Sequence, residues 1–181
     1  MKDLSMHIMD IIQNSVRAEA SLVELKITES MKEDLFSISI KDNGFGMSEE
    51  MLAKAIDPFF TTRTTRKVGL GLPLLKQNAE MTGGRMEISS KEGVGTELEA
   101  TFSHKHLDRP TLGDIAGTMV LLVGANPEMD FIYTHITDEG EYIFDTKEVK
   151  EVLDDMPVSD PNIMQYLKEM IKENLNTILY R

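Results

Sequence analysis

The sequence of 181 residues contains no cysteine, which excludes a disulfide framework, a thiol nucleophile and a thiolate metal site. Positive charge is also scarce, because 19 Lys and Arg residues stand against 31 Asp and Glu residues and the net charge is -12. Binding to nucleic acid or to an anionic membrane surface needs clustered Lys and Arg, so the composition argues against both. No apolar run reaches membrane length, and residues 1–14 are too charged for a secretory signal. We therefore expect a cytoplasmic protein.

The stretch Asp42-Asn43-Gly44-Phe45-Gly46-Met47 follows an alternating strand that ends at Lys41. A carboxylate at the end of a strand can accept a hydrogen bond from an amino group. The glycines after it would let the backbone approach a flat ring without interference from a Cβ atom. The same residues also suit an ordinary hairpin turn, so this motif alone leaves both interpretations open.

Apolar residues at helical spacing predict an amphipathic helix over residues 4–18. His7, Asp10, Asn14 and Arg17 share one stripe of that helix, because they are three or four residues apart. The amide oxygen of Asn14 suits Mg²⁺, which usually shares its ligands with phosphate oxygens and water, and Arg17 can bind a phosphate. The alternative is a solvated helix face, and His7 fits a structural role better than a catalytic one.

Residues 61–67 carry three positive charges and no acid, within a strongly acidic chain. Such a segment suits the phosphates of a nucleotide, although an ordinary exposed loop would have the same composition. Gly69-Leu70-Gly71-Leu72 then begins a predicted helix with Pro73 in its first turn. The free N–H groups at the start of a helix attract phosphate.

Together with Asp57-Pro58-Phe59-Phe60-Thr61-Thr62-Arg63 and Gly95-Thr96-Glu97, these stretches resemble, in a fixed order, the Bergerat ATP-binding fold of gyrase, MutL, heat-shock chaperones and histidine kinases. They are most similar to the histidine kinase catalytic domain, whose PFFTT and GLGL strings recur here at residues 58–62 and 69–72. The resemblance covers residues 4–103. It implies an α+β fold of the Bergerat type, with a mixed sheet and helices on one face, and it implies ATP and Mg²⁺ as ligands.

The resemblance also implies a role for individual residues. Asp42 would bind the adenine amino group, Asn14 would hold Mg²⁺, and Asp10 would be catalytic, at the position where gyrase and MutL have a water-activating glutamate. Asp10 is one methylene shorter than that glutamate, and Lys67 stands where the family commonly has glycine. The expected ATP-binding residues are Asn14, Arg17, Asp42, Gly44, Gly46, Met47, Arg63, Lys67, Gly69, Leu70, Gly71, Leu72 and Thr96.

The rest of the chain reads as short elements without a recognised family. Alternating segments predict hairpins at residues 21–41, 86–102 and 130–144. Thr111 with Asp114 predicts a capping box for one helix, and Asp160 with Pro161 predicts the start of a final helix with a broad apolar stripe. We therefore predict an ATP-binding domain over residues 1–108 and a small α+β region of unknown role over residues 109–181.

His104-Lys105-His106-Leu107-Asp108 lies at the end of the first region. If this segment were a strand, its two histidines and the aspartate would point to one side and suit a metal ion. Solvated histidines at the end of a strand are the alternative.

We expect a histidine-kinase-like protein that transfers the γ-phosphoryl group of Mg-ATP to a partner protein in bacterial signalling. The phosphoacceptor hairpin of histidine kinases has no counterpart before residue 4, so the acceptor is expected on another chain, as the resemblance to stand-alone anti-sigma-factor serine kinases implies. The alternative is an ATP-dependent binding switch with slow or no phosphotransfer. A DNA role like that of gyrase or MutL conflicts with the acidic charge. The last helix leaves a homodimer open.

Overall fold

Alternating apolar and polar residues build a six-stranded sheet in the computed structural model, which describes residues 3–59 and 71–179. The strands are β1 (Leu22–Ser30), β2 (Leu35–Asp42), β3 (Arg85–Lys91), β4 (Gly95–Phe102), β5 (Asp130–Thr137) and β6 (Gly140–Asp145). Their order across the sheet is β3-β4-β2-β1-β5-β6. Of the neighbouring pairs among these six strands, only β1 and β5 pair in parallel, so the sheet is mixed. The predicted α+β class is confirmed.

The helices of the described residues are α1 (Leu4–Arg17), α2 (Glu49–Ala55), α3 (Gly71–Met81), α4 (Ile115–Ala125), α5 (Thr146–Leu153) and α6 (Pro161–Ile178). Asp160 caps α6 with Pro161 in its first turn, so the predicted start of the final helix is confirmed. Ser48 caps α2. The predicted capping box at Thr111 is wrong, because the carboxylate of Asp114 itself caps α4 by accepting the N–H of Gly117. Within the described ranges, no helix is both long and apolar enough to cross a membrane.

The inner face of the sheet forms the floor of the hydrophobic core. The strand register places Ile88, Leu98, Ile40, Leu25 and Tyr133 in one row across five strands. Burying one such aliphatic side chain stabilises a fold by about 2 kcal/mol. The opposite face carries exposed charges, as at Glu24 and Lys26 of β1 and Glu97 of β4, so the main helices cover one face only.

Residues beyond 108 continue the same sheet. β5 pairs with β1 from Leu22 to Thr28, and buried residues of α4 and α6 belong to the same core as those of α1. The N–H groups of Leu4 and Ser5 each donate to a carbonyl, of Thr111 and Leu112 respectively, at 2.8 Å. The boundary predicted at residue 108 therefore falls inside one continuous sheet, and it stays a prediction about motifs and roles.

A buried polar network lies at the end of β1 that is remote from Asp42. The Glu29 carboxylate accepts from His135 Nε2 at 2.6 Å and from His104 Nε2 at 3.1 Å, and the Tyr133 hydroxyl lies 2.6 Å from His135 Nδ1. Burial raises the pKa of Glu29, but the hydrogen bonds and charges of His135 and His104 outweigh burial and hold that pKa below its ordinary value. Two regions of the chain thus meet around one carboxylate.

His104 and His106 follow the end of β4 in a turn, so the strand geometry that an HxHxD metal site would need is not present. His104 faces Glu29, whereas His106 Nδ1 accepts the N–H of Asp108 at 3.1 Å. Among residues 3–59 and 71–179, no group of three or more His, Asp or Glu side chains is arranged to hold a metal ion.

Candidate functional site

A cavity of about 220 Å³ lies between α1, the start of α3 and the inner face of the sheet. Its walls are mainly apolar, and the polar side chains of the lining come from α1, β2 and β4. The lining residues are Ile11, Asn14, Ser15, Arg17, Ala18, Ile40, Asp42, Phe45, Gly46, Met47, Met51, Ala55, Leu72, Ile88, Thr96 and Leu98. An apolar slot with a few convergent polar groups is the usual form of a small-molecule site.

Three polar side chains stand in one row beside the apolar floor. Ser90 of β3 is paired with Thr96 of β4, and Thr96 is paired with Asp42 of β2. Because alternate residues of a strand share a face, all three point to the same inner face as the apolar row next to them. The end of the sheet therefore presents an apolar surface with a polar border.

The Asp42 carboxylate is held at both oxygens. Ser15 Oγ donates to Oδ2 at 2.6 Å, and the N–H of Gly44 donates to Oδ1 at 2.9 Å. An ionised carboxylate has about four acceptor sites, so each oxygen can still accept from a ligand. These two hydrogen bonds fix the direction of the Asp42 side chain and leave acceptor sites for a ligand.

Asn14 and Arg17 lie on α1 and line the same cavity. Arg17 Nη1 donates to Asn14 Oδ1 at 2.8 Å, which leaves that amide oxygen one further lone pair. One neutral oxygen is a poor magnesium site by itself, but it suits an ion that also binds phosphate oxygens and water. The residues present therefore fit Mg²⁺ that arrives with a nucleotide.

Asp10 lies against the start of α3 and is not among the residues that line the cavity. A Cβ atom on Gly71 would come within 1.9 Å of Asp10 Oδ2, so a larger residue there would displace the Asp10 carboxylate from this position. Burial raises the pKa of Asp10, and the charge of Arg17 opposes that rise. A raised pKa suits a group that accepts a proton in a reaction.

The loop of residues 43–47 is docked against the turn between β3 and β4. Gly46 has a φ of +72°, and a Cβ atom there would lie 2.0 Å from the Lys91 carbonyl oxygen. The N–H of Gly93 donates to the Phe45 carbonyl at 2.7 Å. The sequence predicted that Gly44 and Gly46 let a ligand ring approach. For Gly46 the structure gives a second reason for glycine, because its backbone packs against the protein's own backbone at Lys91.

His7 is buried, with 1% of its surface exposed, and connects α1 to α3. Its Nε2 atom lies 3.2 Å from the side-chain nitrogen of Asn78. Burial lowers the pKa of His7, which favours the neutral imidazole. The arrangement is that of a packing residue beside the site.

The predicted site residues divide into three groups. Those that line the cavity are Asn14, Arg17, Asp42, Gly46, Met47, Leu72 and Thr96. Asp10 and Gly71 touch each other at its border, and Gly44 is buried near Ala18 outside the lining. Arg63, Lys67, Gly69 and Leu70 lie outside the described residues.

The sequence analysis did not identify two serines that belong to the site. Ser15 follows Asn14 on the buried side of α1, and Ser90 occupies the inner face of β3. The only signal was their place in the helical and strand periodicity, which does not reveal the partner of a side chain.

Sequence comparison matches the N-terminal part of the chain to known proteins. The family model for histidine kinase-, DNA gyrase B-, and HSP90-like ATPases matches residues 2–106. The sensor histidine kinase WalK of Bacillus subtilis is 32% identical over 103 residues, which cover 53% of this chain and 17% of WalK. The C4-dicarboxylate transport sensor protein DctB of Pseudomonas aeruginosa is 46% identical over 55 residues, which cover 30% of this chain and 9% of DctB. This chain thus spans a small part of the length of these relatives.

A solved structure extends the likeness of the fold beyond the family match. The Aquifex aeolicus MutL ATPase domain complexed with ADP aligns with a TM-score of 0.53 and 16% identity, covering 93% of this chain and 88% of that one. The family match includes the α1 stripe and the Asp42–Thr96 pair. The chain belongs to the family of histidine kinase-, DNA gyrase B- and HSP90-like ATPases.

Proposed function

We propose that the protein binds Mg-ATP in the cavity beneath α1 and transfers its γ-phosphoryl group to a partner protein. The observation that carries the proposal is the Asp42 carboxylate, which Ser15 and the Gly44 N–H hold beside an apolar floor. Adenine combines flat apolar faces with an amino group at one edge, so it matches an apolar slot with an acceptor on its border. The cavity of about 220 Å³ is smaller than the roughly 300–1,000 Å³ of sites that enclose a drug-sized ligand, so it would enclose the base and leave the phosphates outside.

The phosphates would lie toward Asn14 and Arg17, the polar residues of the lining that α1 contributes besides Ser15. Asn14 would hold Mg²⁺ together with phosphate oxygens and water, and the ion would neutralise charge on the transferring group. Arg17 would supply a fixed positive charge to the same phosphates. Asp10, with its raised pKa, is the candidate proton acceptor beside them.

A separate polypeptide as acceptor is supported by the position of the histidines. The chain has four histidines, and none of them lines the cavity as the described residues define it. His7 and His135 are buried, whereas His104 and His106 follow β4 at the end of the sheet remote from Asp42. Six residues of β4 lie between the end of the sheet at Asp42 and the end that the two histidines follow, and this is a distance of about 20 Å. The family relationship to sensor histidine kinases also favours phosphoryl transfer.

Binding is tested by calorimetry with Mg-ATP and the Asp42→Asn variant. An asparagine would present an N–H group where adenine needs an acceptor, and a lost hydrogen bond to a charged group should weaken binding at least roughly tenfold. Asp155→Asn is a matched control, because Asp155 is exposed and far along the chain from the cavity. Equal ATP affinity in the wild type and Asp42→Asn would reject this cavity as the nucleotide site.

Transfer is tested with γ-labelled ATP, the protein and fractions of candidate partners. Label on a partner protein supports a kinase, and label released only as phosphate supports an ATPase. Bound ATP with neither outcome contradicts phosphotransfer.

A binding switch is the second candidate, and one observation favours it. The hydrogen bonds from Leu4 and Ser5 to Thr111 and Leu112 tie α1, which carries Asn14, to the segment before α4. A shift of α1 on nucleotide binding would reach the C-terminal region directly. The signalling role, a cytoplasmic location and a homodimer stay predictions.

A further inference from the structure

His7 packs between α1 and α3, and its two ring nitrogens have different surroundings. Its Nε2 atom lies 3.2 Å from the side-chain nitrogen of Asn78 on α3. An amide nitrogen can only donate, so Nε2 accepts and the proton of the neutral ring lies on Nδ1. Among residues 3–59 and 71–179, no atom forms a hydrogen bond with Nδ1. His7 therefore carries one N–H group that is buried and unpaired within this part of the chain.

An unpaired N–H group in the interior of a protein is unfavourable. Leaving such a donor without an acceptor costs about 1–3 kcal/mol, whereas an apolar side chain of similar size would avoid that cost. Native proteins satisfy most buried polar groups, so an exception requires an explanation. The N–H group of His7 is explained if an acceptor reaches it in a second arrangement of α1 and α3.

The carbonyl of Gly71, the first residue of α3, is the candidate acceptor. Burial has the largest effect on the pKa of His7 and lowers it, whereas the Gly71 backbone raises that pKa, as an acceptor beside an imidazole N–H does. A backbone carbonyl has two lone pairs, and the helix itself uses only one of them. The second lone pair can accept the Nδ1–H after a small shift of the start of α3.

Gly71 is also in tight contact with α1 through Asp10. A Cβ atom on Gly71 would lie 1.9 Å from Asp10 Oδ2, and Asp10 is about one helical turn beyond His7 on α1. His7, Asp10 and Gly71 thus lie together where α1 contacts the start of α3. Free N–H groups at the start of a helix attract phosphate, so a bound nucleotide would act on α3 at this contact.

We propose that His7 is a positioning residue for nucleotide binding, whose Nδ1–H donates to the Gly71 carbonyl when the phosphates of Mg-ATP bind and so holds the start of α3 against α1. The inference rests on the proposed function, because it takes Mg-ATP as the ligand of the cavity. His7 acts through Gly71 and does not itself line the cavity. A hydrogen bond that is made only in the bound arrangement adds to the affinity for a ligand that requires this arrangement.

NMR of the imidazole nitrogens and their protons tests the hydrogen bond directly. The chain has four histidines, so the His7 signals can be assigned as those absent from His7→Asn. Nδ1 should carry the proton, and that proton should move downfield when magnesium and a non-hydrolysable ATP analogue are added, because a hydrogen bond deshields it. Adenosine, which lacks phosphates, should leave the signal in place. A proton on Nε2 instead, or an Nδ1–H signal that the ATP analogue does not move, overturns the proposal.

Calorimetry with the same two ligands separates positioning from packing. His7→Leu should weaken binding of the ATP analogue about fivefold, the usual value of one neutral hydrogen bond, and should leave adenosine binding unchanged. His7→Asn should restore most of the affinity, because its side-chain nitrogen can occupy the place of Nδ1. His106→Leu is the matched control, since His106 is exposed and lies beyond the end of β4.

If His7 only packs α1 against α3, His7→Leu loses the same factor for both ligands, and the proposal is overturned. Equal binding of the ATP analogue by His7→Leu and the wild type overturns it as well. The NMR measurement uses the wild type, so it decides the question even if His7→Leu fails to fold. A wild type that binds neither ligand would instead reject the proposed function, so the two failures are distinguishable.

Discussion

At the scale of single residues, Asp10 lies at the border of the cavity, and its burial lowers the stability of the folded protein. Its folded-state pKa is raised by burial, so the ionised carboxylate is less favourable in the folded than in the unfolded protein. Stability therefore falls as the pH rises through the interval between the unfolded and the folded pKa. Asp10→Asn should raise the melting temperature at pH 7, and the difference should vanish below the ordinary pKa of 3.8.

If the proposed function holds, the same substitution should remove the candidate proton acceptor. Loss of a general base slows reactions by roughly 10²- to 10⁴-fold, whereas ATP affinity should change little because Asp10 does not line the cavity. Phosphate release and ATP binding by the variant are the measurements, with thermal unfolding followed by circular dichroism. An unchanged rate of release would exclude Asp10 as the base, even if the variant were more stable.

Residues that carry their own local signal were foreseen, and residues whose importance depends on a distant partner were not. Asn14 and Asp42 were identified because each sits in a recognisable string. Ser15 acts on Asp42 across 27 positions and Ser90 binds Met47 across 43 positions, so only the helix–sheet contact and the strand register reveal them. Register is set by the whole buried face, which a single strand sequence does not specify.

At the scale of elements, the Glu29 network should stabilise the contact between β1 and β5. Glu29→Gln would replace one of the two carboxylate oxygens with an NH2 group that faces one of the two histidine donors, and a buried donor left without an acceptor costs about 1–3 kcal/mol. Since the pKa of Glu29 is lowered in the folded protein, the ionised group stabilises the fold above the unfolded pKa, near 4.5, and this is lost as the pH falls through the folded pKa. Urea unfolding at pH 7 measures the loss.

Glu33→Gln is the control for this change, because Glu33 lies in the neighbouring turn with an exposed side chain. The difference in unfolding free energy between wild type and Glu29→Gln should narrow as the pH falls below 4.5. A difference that stays constant down to pH 3 would mean that the carboxylate charge is not the source of the stability.

Element types were predictable where local chemistry decides them. The alternation of β1, β2 and β4 and the caps Ser48 and Asp160 are local signals, and the structure agrees with them. The parallel pairing of β5 with β1 was not predictable, because it requires a crossover through α4 and alternation does not name a strand's neighbour. The polar network of Glu29 could not be predicted for the same reason, because it depends on which strand lies beside β1.

At the scale of the whole molecule, the shared sheet predicts that the regions before and after residue 108 unfold together. β1 lies between β2 and β5, so removing β5 and β6 would expose the side of β1 and the buried face shared with α4 and α6. Cooperative loss of structure is the usual behaviour of elements that share one core. The recognised motifs all lie in the first region, but this does not make the first region a separate folding unit.

The distribution of tyrosine allows this to be measured without labels. All four tyrosines fall at or after residue 133, and the chain has no tryptophan, so intrinsic fluorescence reports on the second region alone. Far-UV circular dichroism reports on helices and strands of both regions.

We expect the two urea transitions to coincide. We also expect saturating Mg-ATP to shift both transitions to higher urea by the same amount, because a ligand that binds only the folded state stabilises the whole cooperative unit. If tyrosine fluorescence changed at lower urea than the dichroism, the second region would be a separate folding unit. If ATP then shifted only the dichroism, the nucleotide site would be independent of that region, and the binding switch would lose its physical basis.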